Sequence, residues 1–324
     1  MEKHHCWFGS ASFDPDVDIP DLSGKVCLVT GSNTGLGLAT LKALAKHNPA
    51  KIYLAARSRS KAEAARLEIQ ASSPAAEKAK IDILDLDVSS FPSIKAAAER
   101  VNKEVERLDI LQLNAGIAMI PPATTAEGYE IQFGTNYLGH VLFTQLLMPK
   151  LLATAAMPGA DVRIVSMSSV GHKPFAPSSG IIFDELKSDM GNHGGHELYG
   201  QAMLAKALFA YELAKRFPQI TSTSLHPGTV KSGVWGGNKD VNWLIFNVLV
   251  KPAVALTGVT NEEGCKTQLW CSFSKDVKNG HYYEPIGKEG KESKLARDDE
   301  LSAKLWEWTE KELQTHGAPG WKQA

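Results

Sequence analysis

Short apolar runs alternate with segments of helical spacing through most of this sequence. Each run is rich in β-forming residues, and a helical segment follows nearly every one of them. Strands that are buried on both faces read as continuous apolar runs, and intervening helices connect parallel neighbours. The alternation predicts an α/β fold with a doubly wound parallel sheet. The runs are KVCLVTG (25–31), KIYLAAR (51–57), KIDILDLDV (80–88), DILQLNAG (109–116), DVRIVSMSS (161–169) and ITSTSLHPGTV (220–230).

The length and composition suit one large domain. The chain has 324 residues, of which 43% are hydrophobic and 22% are charged, as is ordinary for a globular protein. Residues 1–20 are rich in Asp and Pro and are predicted to be an irregular N-terminal extension. We expect a single domain over residues 21–324.

Charge and hydropathy exclude several classes of protein. The formal net charge of −1 gives no reason to expect a nucleic-acid partner. The N-terminus has no apolar core of a signal peptide, and the most apolar stretch is interrupted by Lys251 and Pro252, so no membrane span is predicted. His193 and His196 lack a third plausible ligand, so we expect no metal site. A soluble, cytoplasmic protein is the expectation.

The turn VTGSNTGLG lies between the first predicted strand and the first predicted helix. Gly31, Gly35 and Gly37 permit a close backbone approach where free N–H groups and the positive end of the helix dipole meet. A dinucleotide pyrophosphate is the ligand that this arrangement favours. The alternative is a tight strand-to-helix turn that needs glycine for geometry alone.

The end of the second strand is where the ribose 2′ position of such a cofactor is read. An acidic residue there favours NAD, whereas this chain has Arg57 directly after the strand. Arginine binds a 2′-phosphate through paired hydrogen bonds, so NADP(H) is the predicted cofactor. A solvated arginine at a helix start is the alternative.

Several motifs in order resemble the short-chain dehydrogenase/reductase family. They are Thr30-Gly31-x-x-x-Gly35-x-Gly37, Asn114-Ala115-Gly116, the serine pair in SMSS, a helix opened by Tyr199, and HPGTV. The resemblance covers about residues 20–315 and is strongest to the retinol-dehydrogenase-like and fungal secondary-metabolism branch. It implies a Rossmann-type fold, an oxidoreductase activity, and a C-terminal substrate lid at about residues 232–260.

The resemblance also implies roles for individual residues. Asn136, Ser169 and Tyr199 match the catalytic asparagine, serine and tyrosine. The residues that match cofactor-binding positions are Gly31, Ser32, Asn33, Gly35, Leu36 and Gly37 at the pyrophosphate, Asp87 and Val88 at the adenine, Asn114, Ala115 and Gly116 beneath the ribose, and Pro227, Gly228 and Val230 along the nicotinamide.

One position departs from the family pattern Tyr-x-x-x-Lys. The chain reads Tyr199-Gly200-Gln201-Ala202-Met203, so the lysine that lowers the tyrosine pKa is replaced by methionine. A cation within hydrogen-bonding range shifts a pKa by roughly 1–3 units, so its loss disfavours the phenolate that alcohol oxidation needs. Lys206 lies seven residues after Tyr199 on nearly the same helix face. It either leans toward Tyr199 or contacts only solvent and neighbouring backbone.

Three functions follow from these residues. The first is an NADP(H)-dependent reductase of a carbonyl in a hydrophobic small molecule, with Tyr199 as the acid; whether hydride transfer persists without the lysine is open. The second is a redox-neutral isomerase, cyclase or dehydratase in which Tyr199 and Ser169 polarise an oxygen. The third is a non-catalytic binding protein. A homodimer through the Tyr199 helix, predicted to run to about Arg216, is open, because its apolar residues suit a sheet or a partner equally.

Overall fold

Eight strands form one sheet in the residues that the computed structural model describes, which are 11–231 and 258–321. The order is β3-β2-β1-β4-β5-β6-β7-β8; all neighbours are parallel except β7 and β8. This confirms the predicted α/β fold, a mostly parallel sheet in one Rossmann-like domain. The strands are β1 Val26–Thr30, β2 Lys51–Ala56, β3 Ile81–Asp85, β4 Ile110–Leu113, β5 Arg163–Met167, β6 Thr221–Leu225, β7 Tyr282–Glu284 and β8 Lys288–Glu289.

The strand order places a switch point between β1 and β4. The chain moves outward from β1 to β3 and then crosses back to β4 on the other side. The loops after β1 and β4 therefore diverge at the carboxyl edge of the sheet and leave a crevice, which is where open α/β sheets bind ligands.

Helices cover both faces of the sheet. One buried apolar cluster joins the sheet to the helices at 91–104, 139–155, 195–216 and 299–315, and a second joins it to those at 35–45, 59–70 and 266–273. The described α-helices are Pro15–Asp18, Gly35–Ala45, Arg59–Gln70, Pro74–Glu77, Phe91–Glu104, Ile131–Phe133, Gly139–Ala155, Gly195–Arg216, Asn261–Gly264, Lys266–Phe273 and Asp299–Thr315.

The Tyr199 helix spans Gly195–Arg216 and so begins one turn before the predicted start. Glu197 lies in the first turn, where a negative charge favours the helix dipole. Every residue from 200 to 210 is buried within the single chain. The apolar composition of this helix is therefore explained by packing against the sheet and the C-terminal helix Asp299–Thr315.

A single helical turn, Pro15–Asp18, lies in the N-terminal segment. The amide of Ala11 donates to the carbonyl of Ile286, which ties this segment to the loop between β7 and β8. Most of the predicted lid, from 232 to 257, lies outside the described residues. No described helix is both long enough and apolar enough to cross a bilayer.

Candidate active site

The glycine-rich turn follows β1 at the switch point. Gly31 and Gly35 adopt φ values of +64° and +57°, which glycine adopts without steric cost. A Cβ at Gly37 would lie 2.6 Å from the carbonyl oxygen of Gly31, so only glycine fits there. Ser32 is buried and donates its hydroxyl to the Val29 carbonyl at 2.8 Å. The backbone of the turn therefore packs against itself, and the helix Gly35–Ala45 begins within the turn.

The other residues of this turn lie at the surface of the crevice. Asn33 and Leu36 are half-buried. The side-chain Oδ1 of Asn261 lies 3.9 Å from the position of a Cβ on Gly35, and this buried oxygen has no hydrogen-bond partner among the described residues. A cradle that admits no Cβ, at the start of a helix with no side-chain cap, fits the pyrophosphate of a bound dinucleotide.

The two arginines after β2 differ in their partners. Arg57 is exposed and makes no ion pair within the described residues, whereas Arg59 contacts Asp85 at 2.7 Å and Glu63 at 3.8 Å. Arg57 is therefore the arginine that is available to a ligand.

The segment after β3 carries the two residues expected at the adenine. The Asp87 carboxylate accepts from the Ser89 amide and hydroxyl at 2.9 and 2.6 Å. Val88 is buried, and a Cβ at Gly139 would collide with its carbonyl oxygen. Both residues thus lie in a loop that is fixed against the helix Gly139–Ala155.

The Asn114–Gly116 segment packs directly against the glycine-rich turn. Asn114 donates its amide to the Thr30 carbonyl at 2.8 Å, and the Ala115 Cα lies 2.8 Å from where a Cβ on Gly31 would be. Gly116 leaves room for the side chain of Asn136, whose Oδ1 lies 3.1 Å from a Cβ on Gly116. The ends of β1 and β4 therefore form one continuous floor.

The segment after β6 borders the same edge. Gly228 has a φ of +89°, and a Cβ there would lie 3.2 Å from the Pro285 ring. Pro227 is half-buried, and Val230 is buried in a bridge with Val259.

Asn136 lies in a π-helical turn, Gly134–Leu138, that joins two α-helical segments. Such turns are rare and often mark functional sites. The side chain accepts from the Ile117 amide and donates to the Ile117 carbonyl, both at 2.8 Å. Asn136 therefore clamps the chain just after Gly116, and its own main-chain carbonyl faces His140 at 2.9 Å.

Ser169 and Tyr199 are brought together beside Gly171. A Cβ on Gly171 would lie 3.2 Å from the Tyr199 ring and 3.4 Å from the Ser169 hydroxyl oxygen. Burial raises the pKa of Tyr199 above its ordinary value, and a hydrogen bond with Ser169 partly offsets the rise. The phenol is consequently neutral at physiological pH and suited to donate a proton.

Met203 is buried, with only 4% of its surface exposed. Its carbonyl accepts from the Ser168 hydroxyl at 2.8 Å, which anchors the helix to the end of β5. The side chain brings no charge to the region next to Tyr199.

Lys206 does not reach Tyr199. Its Nζ donates to the Leu113 carbonyl at 3.0 Å and lies 3.2 Å from His140 Nδ1. Burial lowers the pKa of Lys206 to about 7. The contact with neighbouring backbone was one of the two sequence expectations, and rescue of Tyr199 was the other.

Two histidines near the site were not singled out from the sequence. His140 lies beneath the floor formed by the ends of β1 and β4. His172 contacts the Ser169 carbonyl through Nδ1 at 2.6 Å, and its Nε2 accepts from the Ser293 amide at 3.1 Å. His140 stands four residues after Asn136 and His172 three after Ser169, so helical or turn spacing from a candidate residue was the available signal.

Known proteins share this architecture. The model of the short chain dehydrogenase family matches residues 25–179. A short-chain dehydrogenase/reductase of Armillaria gallica is 37% identical over 298 residues, which cover 90% of this chain and 91% of that protein. Retinol dehydrogenase 11 of Mus musculus is 37% identical over 262 residues, covering 80% of this chain and 76% of the relative.

A solved structure extends the comparison to the fold. The NADPH-bound carbonyl reductase from chicken fatty liver superposes with a TM-score of 0.60 at 24% identity, covering 82% of this chain and 98% of that one. The protein therefore belongs to the short-chain dehydrogenase/reductase family and is an enzyme of that oxidoreductase type.

Proposed function

We propose that this enzyme is an NADP(H)-dependent oxidoreductase that reduces a carbonyl group of a hydrophobic small molecule, with an intermediate of secondary metabolism as the favoured substrate class. The observation that carries the direction is the neutral Tyr199 phenol beside Ser169. Reduction needs a proton donor at the carbonyl oxygen, whereas oxidation needs the phenolate as a base. Fungal relatives that are named as short-chain dehydrogenase/reductases support the assignment to oxidoreductases.

The chain's own residues divide the work. Ser169 hydrogen-bonds the substrate oxygen and Tyr199 donates its proton to it, while Asn136 keeps the loop after Gly116 in place. NADPH, when bound, supplies hydride to the carbonyl carbon. Gly31, Gly35 and Gly37 leave space for its pyrophosphate at the start of the helix Gly35–Ala45.

NADP(H) rather than NAD(H) is proposed because Arg57 is exposed and unpaired among the described residues. The neighbouring Arg59 already pairs with Asp85 and Glu63. A solved structural neighbour that is named as NADPH-bound agrees with this choice.

The test is NADPH oxidation with a panel of apolar ketones, followed at the nicotinamide absorbance. We expect turnover by the wild type and a loss of roughly 100-fold or more in Tyr199→Phe, since a general acid contributes about 10²–10⁴ in rate. Tyr211→Phe, on the same helix but bonded to Asp299, is the matched control and should leave the rate unchanged. An equal rate in wild type and Tyr199→Phe would refute the assigned role.

A redox-neutral reaction is the second candidate, and Met203 is the observation that favours it. An apolar side chain stands where the family supplies a cation, and Lys206 points to Leu113 instead. Tyr199 and Ser169 would then polarise a carbonyl or enol without net hydride transfer. Bound NADPH that stays unoxidised while the product keeps the substrate's mass would select this candidate over the first.

Location and assembly are further proposals. We propose a cytoplasmic enzyme, tested by cell fractionation of the tagged protein. A homodimer is proposed without assigning its surface, because residues 200–210 are already buried within one chain. Light scattering during size-exclusion chromatography measures the mass.

A further inference from the structure

A buried polar chain runs beneath the carboxyl ends of β1 and β4. Lys206 Nζ contacts the Leu113 carbonyl at 3.0 Å and His140 Nδ1 at 3.2 Å, and His140 Nε2 lies 3.0 Å from the Thr30 hydroxyl. The exposed fractions of Lys206, His140 and Thr30 are 2%, 1% and 0%. Among the described residues Lys206 has no carboxylate partner. Burial of an unpaired ammonium is costly, so the placement of Lys206 here calls for a physical role.

This series of hydrogen-bonded side chains ends at the edge of the sheet where the cofactor is proposed to bind. The Thr30 hydroxyl oxygen accepts from the Ala115 amide at 2.9 Å and lies 3.4 Å from the Gln112 carbonyl. Thr30 directly precedes Gly31, and Ala115 is the middle residue of the floor segment. Lys206 is thereby linked through side chains to both halves of the floor.

The donors and acceptors of Lys206, His140 and Thr30 permit two arrangements of hydrogen bonds. A neutral imidazole has one N–H donor and one acceptor. Burial and the charge of Lys206 lower the pKa of His140 well below its ordinary value, so the ring is neutral. When protonated Lys206 donates to Nδ1, that nitrogen carries no proton, so its contact with the Asn136 carbonyl is not a hydrogen bond. Nε2–H then donates to the Thr30 hydroxyl, and the Thr30 hydroxyl proton is donated to the Gln112 carbonyl.

The second arrangement arises when Lys206 is neutral. Nδ1–H is then free of a neighbouring cation and donates to the Asn136 carbonyl, at 2.9 Å the shorter of its two contacts. Nε2 accepts from the Thr30 hydroxyl, which withdraws its proton from Gln112. The hydrogen-bond direction at Thr30 reverses between the two arrangements.

We propose that Lys206 and His140 are positioning residues of the cofactor site: the protonation of Lys206 selects the tautomer of His140, and the tautomer sets the hydrogen bonds of Thr30 at the base of the glycine-rich turn. The effect on cofactor binding rests on the proposed function. The exchange between the two His140 tautomers does not, because it involves only side chains of the protein.

The change falls near neutrality because burial lowers the pKa of Lys206 to about 7. Other titratable groups lie on the described elements near Lys206. Tyr199 and Tyr137 have pKa values raised by burial. Glu212 pairs with basic residues of its own helix. Glu130 precedes the helix Ile131–Phe133, and burial raises its pKa to about 7, so it needs a control of its own.

The direct test is the histidine tautomer in the protein without cofactor, read by nuclear magnetic resonance of protein labelled with ¹⁵N-histidine. His140→Gln assigns the signal. We expect the wild-type proton to move from Nε2 to Nδ1 as pH rises through neutrality, and to stay on one nitrogen in Lys206→Met. Lys206→Gln provides a second variant. A wild-type tautomer that is constant with pH, or an identical exchange in both Lys206 variants, would overturn the proposal.

The second test is NADPH affinity against pH, measured by nucleotide fluorescence. We expect the ratio of wild-type to Lys206→Met affinity to change by about 2- to 10-fold across neutrality, the size of one net hydrogen bond. The 2′-phosphate of NADPH also titrates, near pH 6, but equally in both proteins. Lys215→Met, an exposed lysine of the same helix, controls for charge, and Glu130→Gln should leave the ratio's change intact.

The two readouts separate the failures. Absence of NADPH binding at every pH would sink the proposed function, while the histidine signal would still decide the tautomer exchange. NADPH binding with a pH-independent affinity ratio would overturn the positioning role even if the proposed function holds.

Discussion

At the scale of single residues, Met203 separates this chain from the family pattern it otherwise follows. Burial raises the Tyr199 pKa, and the interaction that lowers it comes from the Ser169 hydroxyl. The nearest lysine after Tyr199 on this helix, Lys206, contacts Leu113 and His140 instead. The site is thus better prepared to donate a proton than to accept one.

Met203→Lys should allow Tyr199 to act as a base. A lysine ammonium one helical turn from Tyr199 lowers the phenol pKa by roughly 1–3 units. We expect alcohol oxidation with NADP⁺ to rise about tenfold or more and its pH optimum to move downward. Met203→Leu keeps the volume without charge and should leave oxidation unchanged. A pH–rate profile for alcohol oxidation that is the same in Met203→Lys and Met203→Leu would count against this account.

Arg57→Ala should weaken NADPH binding without affecting NADH. A hydrogen bond to a charged group is worth about 1.5–3 kcal/mol, so the NADPH dissociation constant should rise roughly 10- to 150-fold. Arg59→Ala is the matched control, because that arginine pairs with Asp85. Calorimetry with both nucleotides measures the effect; a larger loss in Arg59→Ala would reassign the 2′-phosphate site.

At the scale of elements, the π turn between two helical segments determines where Asn136 lies in the site. The sequence between about 127 and 152 predicts one continuous helix, but the structure has Ile131–Phe133, a π turn, and Gly139–Ala155. The sequence carries no local signal for the extra residue in the turn, whose Asn136 side chain bonds to Ile117, 19 residues earlier in the chain. Glu130 caps the start of the first of these segments through the amides of Gln132 and Phe133.

Glu130 should make stability fall as pH rises. Burial raises its pKa from 4.5 to about 7, so the folded state keeps a proton that the unfolded state releases. The stabilisation is complete below pH 4.5 and is lost as pH rises through 7, on the order of 3 kcal/mol. Urea unfolding of wild type and Glu130→Gln between pH 5 and 8.5 measures the free energy of unfolding of each. The wild type should lose stability relative to Glu130→Gln as pH rises through 7. A constant difference would show that Glu130 does not titrate in this range.

At the scale of the whole molecule, the C-terminal region packs against the loop after Ser169 and against the Tyr199 helix. Lys173, in the loop after Ser169, pairs with Glu284 of β7 at 2.6 Å, and His172 accepts from Ser293. The C-terminal helix packs Trp306 against Phe209 of the Tyr199 helix and against Trp321, with ring centroids 6.1 and 4.4 Å apart. The Tyr199 helix is thus held between the sheet and the C-terminal helix.

Trp306→Ala should destabilise the fold by about 3–5 kcal/mol, since Trp306 is 4% exposed and its removal leaves a cavity. Glu307→Ala, exposed on the same helix, should change stability by less than about 0.5 kcal/mol. Guanidinium unfolding followed by circular dichroism measures both. Equal unfolding midpoints would mean that the C-terminal helix contributes little to the folded core.

The sequence alone determined the layered fold, because period and composition are local: apolar runs mark buried strands, and Gly31, Gly35 and Gly37 mark a turn where no Cβ fits. It also placed Ser169 and Tyr199 in one site through the family pattern. The strands β7 and β8 were missed because runs of three and two residues carry no periodicity. Where Lys206 points was decided only by tertiary structure, because a flexible lysine on the right helix face is captured by whichever acceptors the fold brings near it. Here those are the Leu113 carbonyl and His140, contributed by β4 and by the helix after the π turn.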